Sequence, residues 1–354
     1  MSDLDPPPRK ISAYRTVLQF LAALATGSFN SLAFLLFLIP PLLMYLGWQY
    51  PHLVIPPGVA YALFSYDGAE RKDGRPWPAF TEQFWVIRLA RGYHDLQVHL
   101  DPALESSKMT GEETFVFGLH PHGVLSDYRI LLDGVTRENF PKLRSWRALA
   151  ASVLFKFPGW REVALWSHCI DAARVTAQYA LDRGHSLFIV VGGEHEQILG
   201  EYRKEILFLQ KRMGFVKLAL RNGIPLVPAY VFGANDTFST SKFLRTTRLA
   251  IVKRLRWVAL PLFWGRFGLP IPREVPLRVV FGAPLIFTPR AGNVAAPAAP
   301  ATTGEGKASG TGGQREVTDE EVRRAHEEYI AALRRLFDDN KARFGYSDRE
   351  LVIL

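Results

Sequence analysis

Cysteine is nearly absent from this sequence: Cys169 is the one cysteine among 354 residues. A single thiol cannot form a disulfide within the chain, which excludes the disulfide-stabilised secreted domains and indicates a reducing compartment. Acidic residues are also fewer than basic ones, with 34 Asp and Glu against 43 Lys and Arg, a formal net charge of +9. A basic surface favours anionic partners such as lipid headgroups or phosphorylated cofactors. Nucleic acid is not expected, because the basic residues are scattered and no nucleic-acid-binding motif accompanies them.

Charge is missing altogether from residues 29–48. An uncharged apolar run of this length can cross a bilayer. Pro40 and Pro41 interrupt it, which favours a hairpin that returns to the same face over a single kinked span. A cleavable signal peptide is not expected, because the apolar stretch is too long and no clear small-residue cleavage site follows. We therefore predict a polar tail at 1–16 and a membrane-embedded region at 17–65.

The remainder of the chain is predicted to be one globular domain at 79–354, after a charged Gly/Pro-rich connector at 66–78. Short apolar segments bounded by Gly, Pro or Asn predict strands at 114–119, 186–191, 224–232 and 277–281. Helical composition is found at 172–183 and 202–222, and a capping box at Thr318 and Glu321 begins a further amphipathic helix. This alternation predicts an α/β core. The Ala/Pro/Gly/Thr-rich stretch 291–313 is predicted to be a flexible insertion.

Two histidines follow the first of these strands, in the sequence His120-Pro121-His122-Gly123. Proline and glycine end the strand, so both imidazoles are expected on a loop at the carboxyl edge of the sheet, where α/β folds place their ligands. Imidazole exchanges a proton near neutral pH, which makes a general base one interpretation of the motif. A tight turn capped by the histidines is the alternative. Asp127 lies close enough in sequence to hold the His122 imidazole in one tautomer.

A second candidate loop, Gly192-Gly193-Glu194-His195-Glu196, follows the strand at 186–191. Paired glycines leave backbone amides accessible to an oxyanion or a phosphate, and the carboxylates can orient a histidine. Alternatively, the glycines form a turn and the glutamates begin a helix whose dipole favours them. His120, His122 and Asp127 also resemble part of a two-histidine metallohydrolase site. The third histidine expected beside that aspartate is missing, so no metal is predicted.

Four blocks occur together in an order that resembles the diacylglycerol acyltransferase type 2 family, which includes monoacylglycerol and wax-alcohol acyltransferases. They are His-Pro-His-Gly at 120–123, Val-Gly-Gly-x-x-Glu at 191–196, the long block 212–233 and the segment 264–272. Two positions depart from the pattern. Ala234 stands where the family has glutamate, before Asn235, and Asp236 is a candidate substitute. Asp127 is atypical, because a His-x4-Asp motif is a mark of the related glycerol-phosphate acyltransferases.

The resemblance implies a glycerolipid-acyltransferase-like α/β core with a mixed sheet and flanking helices, behind the N-terminal membrane hairpin. It implies transfer of a fatty acyl group from acyl-CoA, as co-substrate without a further cofactor, to diacylglycerol, giving triacylglycerol. In this interpretation His122 is the general base, and Glu196 or Asp127 orients it. His120 has a supporting role. The substrate-binding residues that the resemblance implies are Gly123, Gly192, Gly193, Arg212, Lys217 and Asn235.

By the same resemblance, the protein is expected at the endoplasmic reticulum membrane with its catalytic domain facing the cytosol, and lipid droplets are a second location. Other acceptors stay open: monoacylglycerol, a long-chain alcohol, or, because of Asp127, a lysophospholipid or glycerol phosphate. A non-catalytic lipid-binding or lipid-transfer protein that keeps the fold is the alternative from another class. The sequence leaves an oligomer open and carries no motif for acyl-chain preference.

Overall fold

The computed structural model describes residues 39–105, 114–255, 262–287 and 316–354. The predicted N-terminal tail at 1–16, the first part of the predicted membrane region and the predicted insertion at 291–313 lie outside the described residues.

The described part of the predicted membrane region forms two short helices, α1 (Ile39–Gln49) and α2 (Pro51–Ser65). At 1.5 Å per residue they are about 16 and 22 Å long, shorter than the hydrocarbon core of about 30 Å. Nowhere in the described ranges is a helix long and apolar enough to cross a membrane. The predicted N-terminal membrane hairpin is therefore wrong. Pro40 and Pro41 do not interrupt a helix, as was expected, because they lie in the first turn of α1, where proline is tolerated. The helical structure is interrupted at Tyr50 instead, between α1 and α2.

Beyond these helices the chain alternates helices and strands. In order they are α3 (Pro78–Gln83), α4 (Trp85–Tyr93), β1 (Gln97–Leu100), α5 (Pro102–Glu105), β2 (Val116–His120), α6 (Tyr128–Asn139), β3 (Trp146–Ala150), α7 (Trp160–Trp166), β4 (Cys169–Asp171), α8 (Arg174–Asp182), β5 (Ser186–Val190), α9 (Gly193–Leu199), β6 (Glu205–Leu207), α10 (Gly214–Asn222), β7 (Leu226–Phe232), β8 (Ser239–Thr240), α11 (Arg245–Leu255), β9 (Phe263–Trp264), β10 (Arg278–Phe281), α12 (Asp319–Lys341) and β11 (Leu351–Ile353). Single 3-10 turns lie at Ala69–Arg71, Ser152–Lys156 and Ala234–Asp236.

A seven-stranded sheet forms the centre of the fold, in the order β1-β10-β7-β2-β5-β3-β4. Its neighbours pair in parallel except for β10 and β7, which are antiparallel. The prediction of a mixed α/β sheet is therefore confirmed, and the four predicted strands are found within two residues of their predicted ends. Strand β2 lies between β5 and β7, so the loops that follow these three parallel strands meet at one edge of the sheet.

Helices cover both faces of this sheet. One apolar cluster packs α3, α4, α6 and α7 against it, and a second packs α8, α10 and α12 on the opposite face. The predicted C-terminal helix is confirmed as α12: Thr318 and Glu321 form the capping box, and Tyr329, Leu333 and Phe337 are fully buried.

The predicted helix at 202–222 is wrong in its first half. Only α10 is helical there, because residues 205–207 form β6 and pair in parallel with β11 near the C-terminus. A partner this distant in the sequence leaves no local pattern.

Candidate active site

His122 lies on the loop after β2, next to a cis peptide bond between His120 and Pro121. Its Nδ1 is 3.0 Å from the carbonyl oxygen of Gly123. Because a carbonyl only accepts, Nδ1 carries the proton and Nε2 is left as the unprotonated nitrogen of the neutral ring. Burial lowers the pKa of His122, the Gly123 hydrogen bond opposes this shift, and Arg129 and Arg212 lower the pKa further. His122 is therefore a neutral imidazole at physiological pH, as a general base requires.

His120 points into the protein instead. Its Nε2 is 3.0 Å from the hydroxyl of Tyr329, which itself donates to the carbonyl of Gly118 at 3.2 Å. His120 is fully buried, and burial lowers its pKa to about 3. The ring therefore stays neutral and donates to the tyrosine, which connects the end of β2 to α12.

Glu196 contacts His122 through the backbone, not through the ring. One carboxylate oxygen accepts from the backbone N–H of His122 and the other from the backbone N–H of Phe208 at 2.8 Å. The carboxyl group is buried, and burial raises its pKa to about 7. Gly192 makes room for it, since a Cβ there would lie 2.1 Å from Oε2 of Glu196. The glutamate of the second block thus fixes the position of the His122 loop.

Asp127 caps α6, where its side chain accepts from the N–H of Tyr128 at 3.1 Å. It lines the same cavity as His122.

Gly123 and Gly193 both have positive φ, +64° and +58°, a backbone conformation that favours glycine. Gly193 lines the cavity, whereas a Cβ at Gly123 would lie 3.5 Å from the carbonyl oxygen of Ala234, the residue that replaces the family's glutamate.

The cations predicted to bind substrate have different surroundings. Arg212 donates to the carbonyl of Gly192 at 3.3 Å and lies 3.3 Å from Nδ1 of His195, while Lys217 is paired with Asp319 at 3.1 Å. Both line the cavity.

Asn235 is placed elsewhere, in a buried polar cluster behind the sheet edge. Its amide donates to the carbonyl of Lys204 and to Glu205, both at 3.0 Å, and it does not line the cavity. The adjacent Asp236 pairs with Arg349 at 2.8 Å and accepts from Tyr346, so its contacts also belong to this cluster.

The cavity has a volume of about 710 Å³, and His122 is one of its lining residues. One group of lining residues is cationic and comes from α8, α10 and the loop before α10: Arg174, Lys211, Arg212, Lys217 and Arg221. Arg129 of α6 is a further cation of the lining. A second group, which we call the apolar arm, comes from α4, α6, α7 and the 3-10 turn Ser152–Lys156: Val86, Ile87, Ala90, Ile130, Leu131, Val153, Leu154 and Trp160.

Sequence reasoning did not assign several of these cavity residues to a site. Arg174 and Lys211 lie outside the four blocks, and Gln197, whose amide donates to the carbonyl of Val124 beside the His122 loop, directly follows the second block. The apolar arm comes from helices without any motif. No metal-binding group of three His, Cys, Asp or Glu side chains occurs within the described ranges.

Comparison with known proteins gives a consistent result. The family described as Diacylglycerol acyltransferase matches residues 46–295. The chain is 29% identical to 2-acylglycerol O-acyltransferase 3 of Homo sapiens over 95% of its length and 90% of the relative's. It is 32% identical to Diacylglycerol O-acyltransferase 1 of Eremothecium gossypii over 68% of its length, but half of the relative's, and 27% identical to Diacylglycerol O-acyltransferase 2 of Bos taurus over 81% and 76%. The resemblance found in the sequence is confirmed: the chain belongs to the diacylglycerol acyltransferase family and is an acyltransferase.

Proposed function

We propose that this protein transfers a fatty acyl group from acyl-CoA to the free hydroxyl of diacylglycerol, forming triacylglycerol, with His122 as the general base. The observation that carries the proposal is the composition of the cavity, whose walls combine the neutral imidazole of His122 with a group of cations and a group of apolar side chains. Acyl-CoA has groups that match all three, namely a thioester, phosphates and a hydrocarbon chain.

The cationic group of the lining is suited to the phosphates of CoA. Arg174 and Arg221 come from α8 and α10, and Arg212 comes from the loop before α10. A guanidinium presents a planar fork of N–H donors that matches phosphate oxygens, and charge-assisted hydrogen bonds of this kind are about twice as strong as neutral ones. Lys217 is a weaker candidate, because Asp319 already neutralises it.

His122 can perform the proton transfers of the reaction with one nitrogen. Its Nε2 takes the proton of the acceptor hydroxyl as the hydroxyl oxygen attacks the thioester carbonyl. The tetrahedral intermediate then breaks its C–S bond, and the imidazolium returns the proton to the departing CoA thiolate. Because thiolate is a good leaving group, positioning and oxyanion stabilisation suffice without a covalent enzyme intermediate. Gly193, whose backbone lines the cavity at the start of α9, is our candidate oxyanion donor.

The acceptor is the part of the proposal with a specific competitor. Diacylglycerol is favoured by the family description and by the two relatives named Diacylglycerol O-acyltransferase. The relative that matches 95% of the chain is instead named a 2-acylglycerol O-acyltransferase, which supports monoacylglycerol as the second candidate.

We place this reaction at the endoplasmic reticulum membrane, with lipid droplets as a second site, because the acceptor dissolves in lipid. The exposed apolar side chains of α1 and α2 support this location: Met44, Trp48, Leu63 and Phe64 are each more than 70% exposed. Exposed apolar patches of this kind mark contacts with membranes or other proteins.

The proposal is tested by expressing the chain in cells that lack neutral-lipid acyltransferases. Their membranes receive labelled acyl-CoA with diacylglycerol, monoacylglycerol, a fatty alcohol or lysophosphatidate in separate reactions. We expect labelled triacylglycerol, reduced by roughly 10²-fold or more in His122→Ala. His52→Ala, an exposed histidine on α2, is the matched control and should retain activity.

Each other outcome contradicts a defined part of the proposal. Formation of a different labelled ester would show that the acceptor is not diacylglycerol. Full activity of His122→Ala would exclude His122 as the general base. Absence of product with every acceptor would refute acyl transfer from acyl-CoA to these four acceptors.

A further inference from the structure

We propose that residues 239–273, which we call the basic segment, form a second lipid-contact surface that binds a bilayer with anionic headgroups. The segment follows β7 and contains α11 between the antiparallel strands β8 and β9. The inference goes beyond the proposed membrane location, which is supported by α1 and α2, and assigns a contact to another part of the chain. It does not require the acyl-transfer reaction.

The basic segment has positive charge of its own and no negative charge. Its sequence contains no Asp or Glu, and its basic residues are Lys242, Arg245, Arg248, Lys253, Arg254, Arg256, Arg266 and Arg273. Glu201, outside the segment, lies 3.1 Å from Lys242 and 3.0 Å from Arg245, and it also pairs with Lys204 at 2.7 Å. One carboxylate among three cations leaves this surface positive, which favours anionic headgroups.

Large apolar side chains of the basic segment are exposed beside these cations. The following are between 41% and 74% exposed: Phe243, Leu244, Ile251, Leu262, Trp264, Phe267 and Leu269. Leu244 and Phe267 also have positive φ, +48° and +57°, a backbone conformation that bulky residues rarely adopt. Because neither side chain is buried, the fold gains little from placing them there, and a contact outside the chain accounts for both features. Exposed apolar groups of this kind mark contacts with membranes or other proteins.

A bilayer fits this combination of charge and apolar surface better than a second copy of the chain. A symmetric dimer formed through the basic segment would place two positive surfaces against each other, and such a contact between like charges is unfavourable. A lipid surface instead presents anionic headgroups above hydrocarbon. The cations then bind at the headgroups while the aromatic and aliphatic side chains enter the layer below.

The basic segment is attached to two helices that line the cavity. Leu249 of α11 packs against Ile198 of α9, the helix that begins at the cavity residue Gly193. Arg266 donates to the hydroxyl of Tyr93 on α4 at 3.2 Å, and α4 supplies part of the apolar arm. A bilayer bound to the segment is therefore held close to the helices of the site, which suits an acceptor that dissolves in lipid.

A fluorescent probe at one position tests this contact separately from any contact made by α1 and α2. Cys169 is buried and is the one cysteine of the chain, so a cysteine introduced at an exposed position is labelled selectively. Leu269→Cys places the probe on the basic segment, and Arg335→Cys places it at an exposed position of α12 as the control. The full chain is mixed with phosphatidylcholine vesicles, with or without phosphatidylserine, whose acyl chains carry a nitroxide quencher.

With phosphatidylserine present, we expect the probe at position 269 to be quenched and the probe at position 335 to keep its fluorescence. Adding Phe267→Ser should lower the docking equilibrium constant, obtained from the quenched fraction, by about tenfold on both kinds of vesicle, since one aromatic side chain is no longer buried in lipid. Thr247→Glu, at an exposed position of α11, should lower it by about fivefold, and only on vesicles with phosphatidylserine. Thr247→Gln is the matched control without the charge.

Three outcomes would overturn the inference. Absence of quenching at position 269 would show that the basic segment does not contact lipid, and equal quenching with and without phosphatidylserine would exclude anionic headgroups as its ligand. A change in probe fluorescence with protein concentration in the absence of vesicles would show that a second copy of the chain covers the segment. None of these measurements uses a substrate, so failure of this inference is distinguishable from failure of the proposed function, which the acyl-transfer assay detects.

Discussion

At the scale of single residues, the tautomer of His122 determines which of its nitrogens can act as a base. The hydrogen bond to the Gly123 carbonyl fixes the proton on Nδ1, and burial favours the neutral ring. Because the pKa of His122 is lowered from 6.5, we expect kcat/KM to decline on the acidic side with a midpoint below pH 6.5. A pH series of acyl-transfer rates measures this midpoint. A midpoint above 6.5 would mean that another group is the base.

Glu196 gives a pH dependence to stability with a defined sign. Burial raises its pKa from 4.5 to about 7, so between these values the folded protein holds a proton that the unfolded chain has lost. The free energy of unfolding therefore decreases with rising pH in this window, by up to about 1.4 kcal/mol per pH unit from this group. We expect Glu196→Gln to remove this contribution, which denaturant titrations across the window detect.

Glu196→Gln should also lower kcat, because Glu196 holds the loop of His122 in position through a backbone hydrogen bond. A Gln side chain offers one oxygen to the two backbone N–H groups of His122 and Phe208, so one of them loses its acceptor, at a cost of about 1–3 kcal/mol. Glu350→Gln, at an exposed position, is the control and should change neither property. If the pH dependence of the free energy of unfolding is the same in Glu196→Gln as in the wild type, the Glu196 carboxyl does not titrate between pH 4.5 and about 7.

These two residues show how far sequence reasoning reaches at this scale. The motifs predicted that His122 and Glu196 are site residues. They did not indicate that the contact between the two uses a backbone amide, because any residue at position 122 other than proline has that amide. The contacts of Asn235 could not be predicted either, since its partners, the carbonyl of Lys204 and the carboxylate of Glu205, lie about 30 residues away in the sequence.

At the scale of secondary-structure elements, one close contact connects β2 to α12. A Cβ at Gly118 would lie 2.1 Å from the hydroxyl oxygen of Tyr329 and 3.0 Å from its Cζ. Tyr329 is fully buried, so it cannot move away cheaply. We expect Gly118→Ala to lower the free energy of unfolding by about 1–3 kcal/mol through overpacking.

A double-mutant cycle with Tyr329→Phe tests this cause. Removing the hydroxyl removes the shortest of the clashing contacts, so Gly118→Ala should cost less in that background, as measured by denaturant unfolding. Gly92→Ala is the control: it lies on α4 with nothing within 4 Å of the added methyl group, and it should be neutral or stabilising. Equal costs of Gly118→Ala in both backgrounds would exclude the hydroxyl as the cause.

Elements with a strong local pattern could be predicted from the sequence. The central strands are apolar and bounded by breakers, and α12 has both a capping box and an apolar stripe. Strand β6 could not be predicted, because its partner β11 follows about 145 residues later and has no signal in the window around 205–207. The membrane hairpin was wrong because hydrophobicity alone does not show where a helix breaks, and here it breaks at Tyr50.

At the scale of the whole molecule, the cavity could not be assembled from motifs. His122 is on the loop after β2, most of the cations are on α8, α10 and the loop before α10, and the apolar arm is built largely from α4 and α6. Only the order of strands in the sheet brings these segments together. Short blocks in the sequence contain His122 and Glu196, whereas most of the other residues that line the cavity are spread along the chain.

The C-terminal segment completes this arrangement by supporting the loop that carries Phe208. Strand β11 pairs with β6, and the carbonyl of Leu354 accepts from the N–H of Leu209 at 3.0 Å. Arg349 anchors the segment, because its guanidinium lies 2.7 Å from Glu205 and 2.8 Å from Asp236, both of them buried. Removing it would leave two buried carboxylates without their cation.

We expect Arg349→Ala to lower the free energy of unfolding by about 3–5 kcal/mol, the range for breaking a buried ion pair from one side. Arg335→Ala, which removes an exposed arginine of α12, should change it by no more than about 0.5 kcal/mol. Adding Glu205→Gln and Asp236→Asn to Arg349→Ala should restore part of the loss, since the uncompensated charges are then gone. Denaturant unfolding of the wild type and these three variants measures the differences. If Arg349→Ala costs no more than Arg335→Ala, the carboxylates are stabilised by Tyr230, Asn235 and Tyr346 alone, and the C-terminal segment is not held by charge.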